Sequence, residues 1–205
     1  EQISGRYEVL WKRGNGWEAE VYLVRENATG IERATKIFSP HRNPNNLTAN
    51  RCATKLHKLR QCSILIQYLN QEIIEIGGFR ATVFISEFVD GEVLSTLLRH
   101  SRGKRLPPFE ALHLLYALAS GMAEVHRAGE YHGDLHGDNI IVRRYGLRFE
   151  VKLIDLFVHP LPKRELIKED VYDLIGILYD TLGGARHYSR NPREIKAICG
   201  GLKRS

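Results

Sequence analysis

The apolar pattern of this chain changes period once, near Asp90-Gly91, and that switch limits the folds open to it. Before it, short runs rich in Val, Ile, Tyr and Leu alternate with turn signals. Tyr7–Trp11, Glu20–Arg25 and Ile31–Phe38 are punctuated by Gly14-Asn15-Gly16 and Asn27-Ala28-Thr29-Gly30. Runs of this kind read as strands joined by tight turns. Two more strands are expected over Ile64–Ile76 and Thr82–Phe88, joined at Gly77-Gly78, and a helix over about Leu47–Leu59.

After the switch the spacing is helical. Val93, Leu94, Leu97 and Leu98 suit one helix, and Pro107-Pro108 opens a longer one that stops near Gly129. Its apolar positions Leu115, Leu118, Met122 and Val125 recur at three and four residues, as one buried face requires. A small hairpin is expected from Ile140–Arg144 and Phe149–Ile154 around Gly146. Asp170 to Thr181 reads as a helix with Val171, Leu174, Ile175 and Leu178 on one stripe, and Pro192 begins a last helix. A strand-rich part, 1–89, followed by a helix-rich part, 90–205, is an α+β arrangement of two segregated lobes.

The 205 residues allow one large domain or two small lobes. Three scattered cysteines without a CxxC pair support neither a disulfide framework nor a zinc ribbon, so they read as small buried hydrophobes. The same cysteine usage leads to the expectation of a cytoplasmic setting; no run of about 18 apolar residues occurs, so no helix is expected to span a membrane, and no basic-then-apolar leader opens the sequence. A net charge of +6 suits an anionic ligand such as a nucleotide without indicating a nucleic acid.

Three segments carry chemistry. In Arg13-Gly14-Asn15-Gly16-Trp17, the glycines would let backbone amides approach phosphate oxygens, although an ordinary hairpin has the same look. No helix follows, which excludes a dinucleotide fold or a Walker loop. In Ala34-Thr35-Lys36-Ile37-Phe38, a lysine within an apolar strand would neutralise phosphate charge, or would simply be a solvated edge lysine. The third segment, His132-Gly133-Asp134-Leu135-His136-Gly137-Asp138-Asn139-Ile140-Ile141-Val142, is the most specific, and Asp155 follows Asn139 by sixteen residues at the end of an apolar strand. An acid, an amide and a distant second acid are what a Mg-nucleotide site needs. One carboxylate takes the proton of an attacking hydroxyl, while the amide and the other carboxylate hold Mg²⁺ by oxygen. A rival stays open: His132, Asp134, His136 and Asp138 alternate at period two, and a straight strand would gather them for zinc or iron. Gly133 and Gly137 argue for a loop instead.

Together these segments resemble the protein-kinase-like superfamily from about Tyr7 to Gly184. The resemblance implies a bilobal fold, with a small β-rich lobe and a helical lobe, that uses ATP and Mg²⁺. Gly14-x-Gly16 with Val21 looks like the glycine-rich loop, and Lys36 like the strand lysine that binds the α- and β-phosphates. Ser86-Glu87-Phe88-Val89-Asp90-Gly91 looks like the hinge, where the Glu87 carbonyl and the Val89 amide would meet adenine. Val21, Ala34 and Ile141 would sandwich the ring. His132-Gly133-Asp134 is similar to the catalytic HRD, which makes Asp134 the base. Asn139 and Asp155 match the metal-binding asparagine and the DFG aspartate. Asp170-Val171-Tyr172-Asp173-Leu174 looks like the helix whose aspartate braces the catalytic loop.

The departures are equally specific. No Asp or Glu occurs between Ala34 and Gln71, so the helix glutamate that normally pairs with the strand lysine is missing. Lys36 must pair elsewhere, with Asp155 a candidate. Gly133 replaces the HRD arginine, DFG reads Asp155-Leu156-Phe157, and the step from Asp155 to Asp170 is only fifteen residues. An ordinary activation segment does not fit there, so switching by loop phosphorylation is not expected.

Trp17 could cover phosphates or pack on its lobe. Arg51, Lys55 and Lys58 fit either an acidic partner or a solvated helix face. His57, His100, His113 and His126 read as ordinary helix histidines. The expected function is transfer of the γ-phosphoryl group of Mg-ATP to a hydroxyl acceptor by a Ser/Thr-type protein kinase. A small-molecule kinase and a nucleotide-binding pseudokinase acting as an interaction module are the alternatives.

Overall fold

The computed structural model describes residues 2–15, 18–146 and 148–200. Gly16 and Trp17, named above for the glycine loop, lie outside the described residues. The chain divides into two compact units, residues 1–61 with 66–89, and residues 62–65 with 90–205.

The first unit is a six-stranded antiparallel sheet and one helix. Its strands are β1 (Gln2–Ile3), β2 (Tyr7–Asn15), β3 (Ala19–Glu26), β4 (Glu32–Phe38), β5 (Tyr68–Ile76) and β6 (Phe79–Glu87), in the order β1-β2-β3-β4-β6-β5. Alternation along the strands gives the sheet two distinct faces. On one, Val24, Val83 and Ile85 form a buried cluster with Ile3 and Tyr7, joined by Tyr22 and Ile37. On the other lie Val21, Ala34, Lys36, Phe38 and Phe84, as the registers Val21↔Lys36 and Lys36↔Phe84 require. Residues 81–86 are buried without a break, because β6 pairs on both edges and both its faces are covered.

Helix α1 (Leu47–Lys58) packs on β5 and β6. Two 3₁₀ turns opened by Pro40 and Pro44 lead into it. Asn43 Oδ1 accepts the Ala49 amide (3.2 Å), and Asn43 Nδ2 donates to Thr82 Oγ1 (2.9 Å), so one buried amide both caps α1 and ties it to β6. Lys55 is buried. The basic stripe expected as a solvated face or a docking surface therefore reduces to Arg51 and Lys58. Buried on α1 with Lys55 are Ala49 and Leu56.

The second unit holds β7 (Glu92–Val93), β8 (Ile140–Tyr145) and β9 (Arg148–Leu153) in one small sheet. Its helices are α2 (Leu94–His100), α3 (Pro108–Arg127), α4 (Lys163–Thr181), α5 (Gly184–Tyr188) and α6 (Arg193–Cys199). Pro108 opens α3 at a position whose N–H would have no helical partner. Ala111, Leu114, Leu118, Met122 and Val125 form its buried stripe, against α4 and β9.

Three expectations are corrected. The strand drawn from Ile64 begins at Tyr68. Ile64 and Leu65 instead belong to the second unit, where Leu65 bridges Leu153 and the Leu153 amide donates to Ile64 O (2.7 Å). Helix α4 starts at Lys163, seven residues before the expected Asp170, because its first two turns are polar apart from Leu166 and Ile167. Its buried stripe runs Leu166, Asp170, Leu174, Ile177, Leu178, Thr181, and Val171 is exposed. Helix α5 carried no apolar pattern and was not expected. Burial pushes the thiols of Cys62 and Cys199 up, as for inert core cysteines, whereas Cys52 is half-buried.

Candidate active site

In the first unit, pairing registers set five residues in one row across the sheet: Gly14, Val21, Lys36, Phe84 and Gln71. Ala34 lies two residues along β4 from Lys36 and so shares its face. The Lys36 amino group stands 5.4 Å from the centroid of the buried Phe38 ring. From the same row Gln71 Nε2 donates to Asn50 Oδ1 on α1 (2.8 Å), so α1 covers the face that carries Lys36. That helix contains no carboxylate; an amide stands among the groups it offers the row. At the end of β6 the Glu87 amide donates to Gln67 O (3.0 Å) and its side chain accepts the Gln67 amide (2.9 Å). The Glu87 carbonyl accepts a long bond from Ser86 Oγ (3.3 Å), and Val89 is half-buried.

In the second unit, residues 131–136 form an irregular loop ending in a 3₁₀ turn, Gly137–Asn139. The loop is built on Asp170, which is fully buried in α4. Its Oδ2 accepts the His132 amide (2.8 Å) and faces His126 Nε2 (2.9 Å), while Oδ1 accepts the Gly133 amide (2.9 Å). His126 is thus no ordinary helix histidine, because it joins α3 to this brace. The His132 ring is also fully buried. Its Nε2 donates to Ile154 O (2.9 Å) and its Nδ1 accepts the Asp134 amide (3.3 Å), which fixes the tautomer.

This framework joins Asn139 to Asp134 directly and to the residue before Asp155 through the backbone. Asn139 is buried, and its Nδ2 donates to both Asp134 O (2.9 Å) and Asp134 Oδ2 (3.0 Å). These bonds use Nδ2 and not Oδ1. The Asn139 carbonyl accepts the Ile154 amide (3.0 Å), setting Asn139 beside the residue before Asp155 at the open end of the β8–β9 hairpin. Asp155 has φ +57°, a left-handed conformation that aspartate tolerates better than most side chains and that marks strained functional positions. Ile141, one step along β8 from the buried Ile140, is half-buried. His136 Nε2 lies 3.5 Å from Asp134 Oδ2, and its Nδ1 accepts the Asp138 amide (3.3 Å). Asp138 is held by Ser95 Oγ.

The period-two alternative fails here. The segment is a loop, His132 is spent on backbone partners, and no group of three or more His, Cys, Asp or Glu among the described residues is arranged to hold a metal ion. The donor set of Asn139 and Asp155, an amide oxygen and a carboxylate, suits a hard cation bound by oxygen and completed by phosphates and water. One neighbour was not singled out from the sequence. Asp173, half-buried on α4, has its carboxyl pushed up to about 6 by burial and then by the negative charges of Asp170, Glu169 and Asp134, with His136 opposing. Its position one turn after Asp170 was the available signal.

The family model for the protein kinase domain matches residues 7–164. This chain belongs to the protein kinase domain family. It is similar to the serine/threonine-protein kinase pkn2 of Myxococcus xanthus, 29% identical over 157 residues that cover 75% of this chain and 18% of that protein. It is also similar to the serine/threonine-protein kinase drp72 of Corynebacterium efficiens, 25% identical over 97% of this chain and 42% of that protein. The chain therefore spans less than half the length of these curated relatives. The crystal structure of the PknI kinase domain of Mycobacterium tuberculosis, a double mutant, shares the fold with a TM-score of 0.69 at 20% identity, over 97% of this chain and 83% of that one. The fold is that of a kinase domain, a β-rich N-terminal part followed by a helical C-terminal part.

Proposed function

We propose that this chain is an ATP-dependent phosphotransferase of the serine/threonine protein kinase type, moving the γ-phosphoryl group of Mg-ATP to a hydroxyl acceptor. The observation that carries the proposal is the bond from Asn139 Nδ2 to Asp134 Oδ2, with the Asn139 carbonyl bonded to the Ile154 amide. Base and amide are thereby hydrogen-bonded to each other, and the same asparagine anchors the residue that precedes the second acid, Asp155.

Asn139 Oδ1 and the Asp155 carboxylate would hold magnesium, which supplies charge neutralisation at the phosphates. Asp134 orients the acceptor hydroxyl and takes its proton, its own carboxylate held in place by Asn139. Lys36 would pair with phosphate oxygens, with Gly14 and Gly16 contributing backbone amides. Val21, Ala34 and Ile141 would offer apolar contact to adenine, and Glu87 and Val89 their backbone polar groups. The catalytic contribution is positioning and electrostatics rather than covalent chemistry.

The test is ADP release by wild type and by Asp134→Ala with candidate acceptors, alongside autophosphorylation read by mass spectrometry. Turnover that survives Asp134→Ala at the wild-type rate overturns the assigned base. One observation favours a second reading, a small-molecule kinase: only residues 156–162 separate Asp155 from α4, which leaves little chain to dock a peptide. ADP release with small alcohols but not with protein substrates would select it. Nucleotide binding without any turnover would select the pseudokinase, which the missing acid between residues 34 and 71 favours.

A further inference from the structure

Gly133 stands where the family usually has an arginine, and the local packing explains its size. Its φ is +87°, and a Cβ there would lie 2.9 Å from Tyr131 Cε2 and 3.2 Å from His159 Cδ2. The space next to Gly133 is thus taken by two side chains, one from before it and one from the segment after β9. Both make polar contacts that bear on the loop. His159 Nε2 lies 2.9 Å from Gly133 O. Because a carbonyl only accepts, that nitrogen carries the proton. The His159 backbone amide donates to Tyr131 Oη (3.0 Å), and the tyrosine hydroxyl reaches the His159 carbonyl (3.4 Å). The Phe157 amide donates to His132 O (3.0 Å), and the Phe157 and His159 rings pack 4.6 Å apart. At the end of the segment Lys163 Nζ donates to Glu130 Oε1 (2.5 Å) on an otherwise buried glutamate.

Phe157, His159 and Lys163 therefore tie the segment after β9 to residues 130–133. The Gly133 carbonyl belongs to the peptide that joins Gly133 to Asp134, so whatever holds that oxygen orients the proposed base. We infer that His159, with Tyr131, is a positioning residue that clamps the Gly133–Asp134 peptide and keeps the catalytic loop ordered without any phosphate on the following segment. The catalytic half of this inference rests on the phosphotransfer proposal above; the conformational half does not.

The experiment compares His159→Ala, His159→Gln and Tyr131→Phe with wild type, each first shown folded by urea titration. Two quantities are read: backbone hydrogen exchange at Asp134 and Leu135, and kcat and KM for ATP. Expected are faster exchange at Asp134 in His159→Ala, a fall in kcat of about tenfold or more with KM for ATP nearly unchanged, and partial recovery in His159→Gln, whose amide can donate to the same carbonyl. Tyr131→Phe keeps the ring against Gly133 and should show a smaller shift in the same direction; it carries the test if His159→Ala does not fold. Exchange at Asp134 unchanged in both, or kcat within twofold of wild type in folded His159→Ala, overturns the clamp. If wild type itself transfers no phosphoryl group, the phosphotransfer proposal fails, and exchange alone decides whether the clamp exists.

Discussion

Replacing Asp170 tests the physical argument most directly, because three hydrogen bonds converge on one fully buried carboxylate. In Asp170→Ala the amides of the buried His132 and the half-buried Gly133 lose their acceptor. Each unpaired buried donor costs about 1–3 kcal/mol, and the lost bond to half-buried His126 adds about 1 kcal/mol. The sum, about 3–7 kcal/mol, is comparable with the 5–15 kcal/mol that typically separates folded from unfolded domains, so Asp170→Ala is expected to express poorly. Asp170→Asn is the measurable variant. It keeps one acceptor oxygen and turns an NH₂ group toward donors, for a cost of about 2–4 kcal/mol. With a urea m-value of about 2 kcal/mol/M, the unfolding midpoint should fall by about 1–2 M. Native-state exchange should accelerate selectively at whichever of His132 and Gly133 loses its acceptor. A midpoint within about 0.3 M of wild type, with both amides still protected, would show that the loop does not depend on this brace.

Asp173 should make stability depend on pH in an unusual direction. Its folded pKa is raised from 3.8 to about 6, so its contribution is fully present below about pH 4 and is lost as pH rises through about 6. Asp173→Asn should therefore gain stability over wild type at pH 7 and lose that advantage near pH 4, as read by urea titration; an advantage independent of pH refutes the assignment. Asp155→Asn keeps a side chain that tolerates φ +57° and should weaken Mg-dependent ATP binding by at least about tenfold in calorimetry, with the melting temperature little changed. Equal affinity in the two proteins removes Asp155 from the metal site. Gly121→Ala should destabilise by about 1–3 kcal/mol, because a Cβ there would lie 2.3, 2.6 and 2.8 Å from Ile64 Cδ1, Cβ and Cγ1. Adding Ile64→Ala, which removes Cδ1 and Cγ1, should cost less than the two single losses together; a double variant whose loss equals their sum means the clash is relieved elsewhere.

The strands and long helices were legible because alternation and three-to-four spacing report directly on which face is buried. Failures came where that signal was absent or ambiguous. Ile64-Leu65-Ile66 continues the apolar run of β5, and only pairing with Leu153 assigns its first two residues to another unit. The first turns of α4 are mostly charged, so its stripe becomes visible only near Asp170. At the candidate site, the spacing of Asp134, Asn139 and Asp155 could be read because chemistry restricts the residue types. His126, Tyr131 and His159 act through one or two bonds to a distant carboxylate or to backbone atoms. Such bonds impose no period and no neighbouring motif, so nothing in the one-dimensional pattern points to them.

The short stretch from Cys62 to Leu65 has a consequence for modularity. The covalent chain crosses between the units three times, after residues 61, 65 and 89, so neither half is a cassette that a single cut can release. A fragment beginning at Asp90 would lack Ile64, which fills the notch left by Gly121, and Leu65, which bridges Leu153 at the end of β9. Recombination of this domain with a homologue at the Val89–Asp90 joint would carry a four-residue piece of one parent's helical core into the other's. Functional chimaeras are expected only where the residues facing positions 64 and 121 are exchanged as a matched pair.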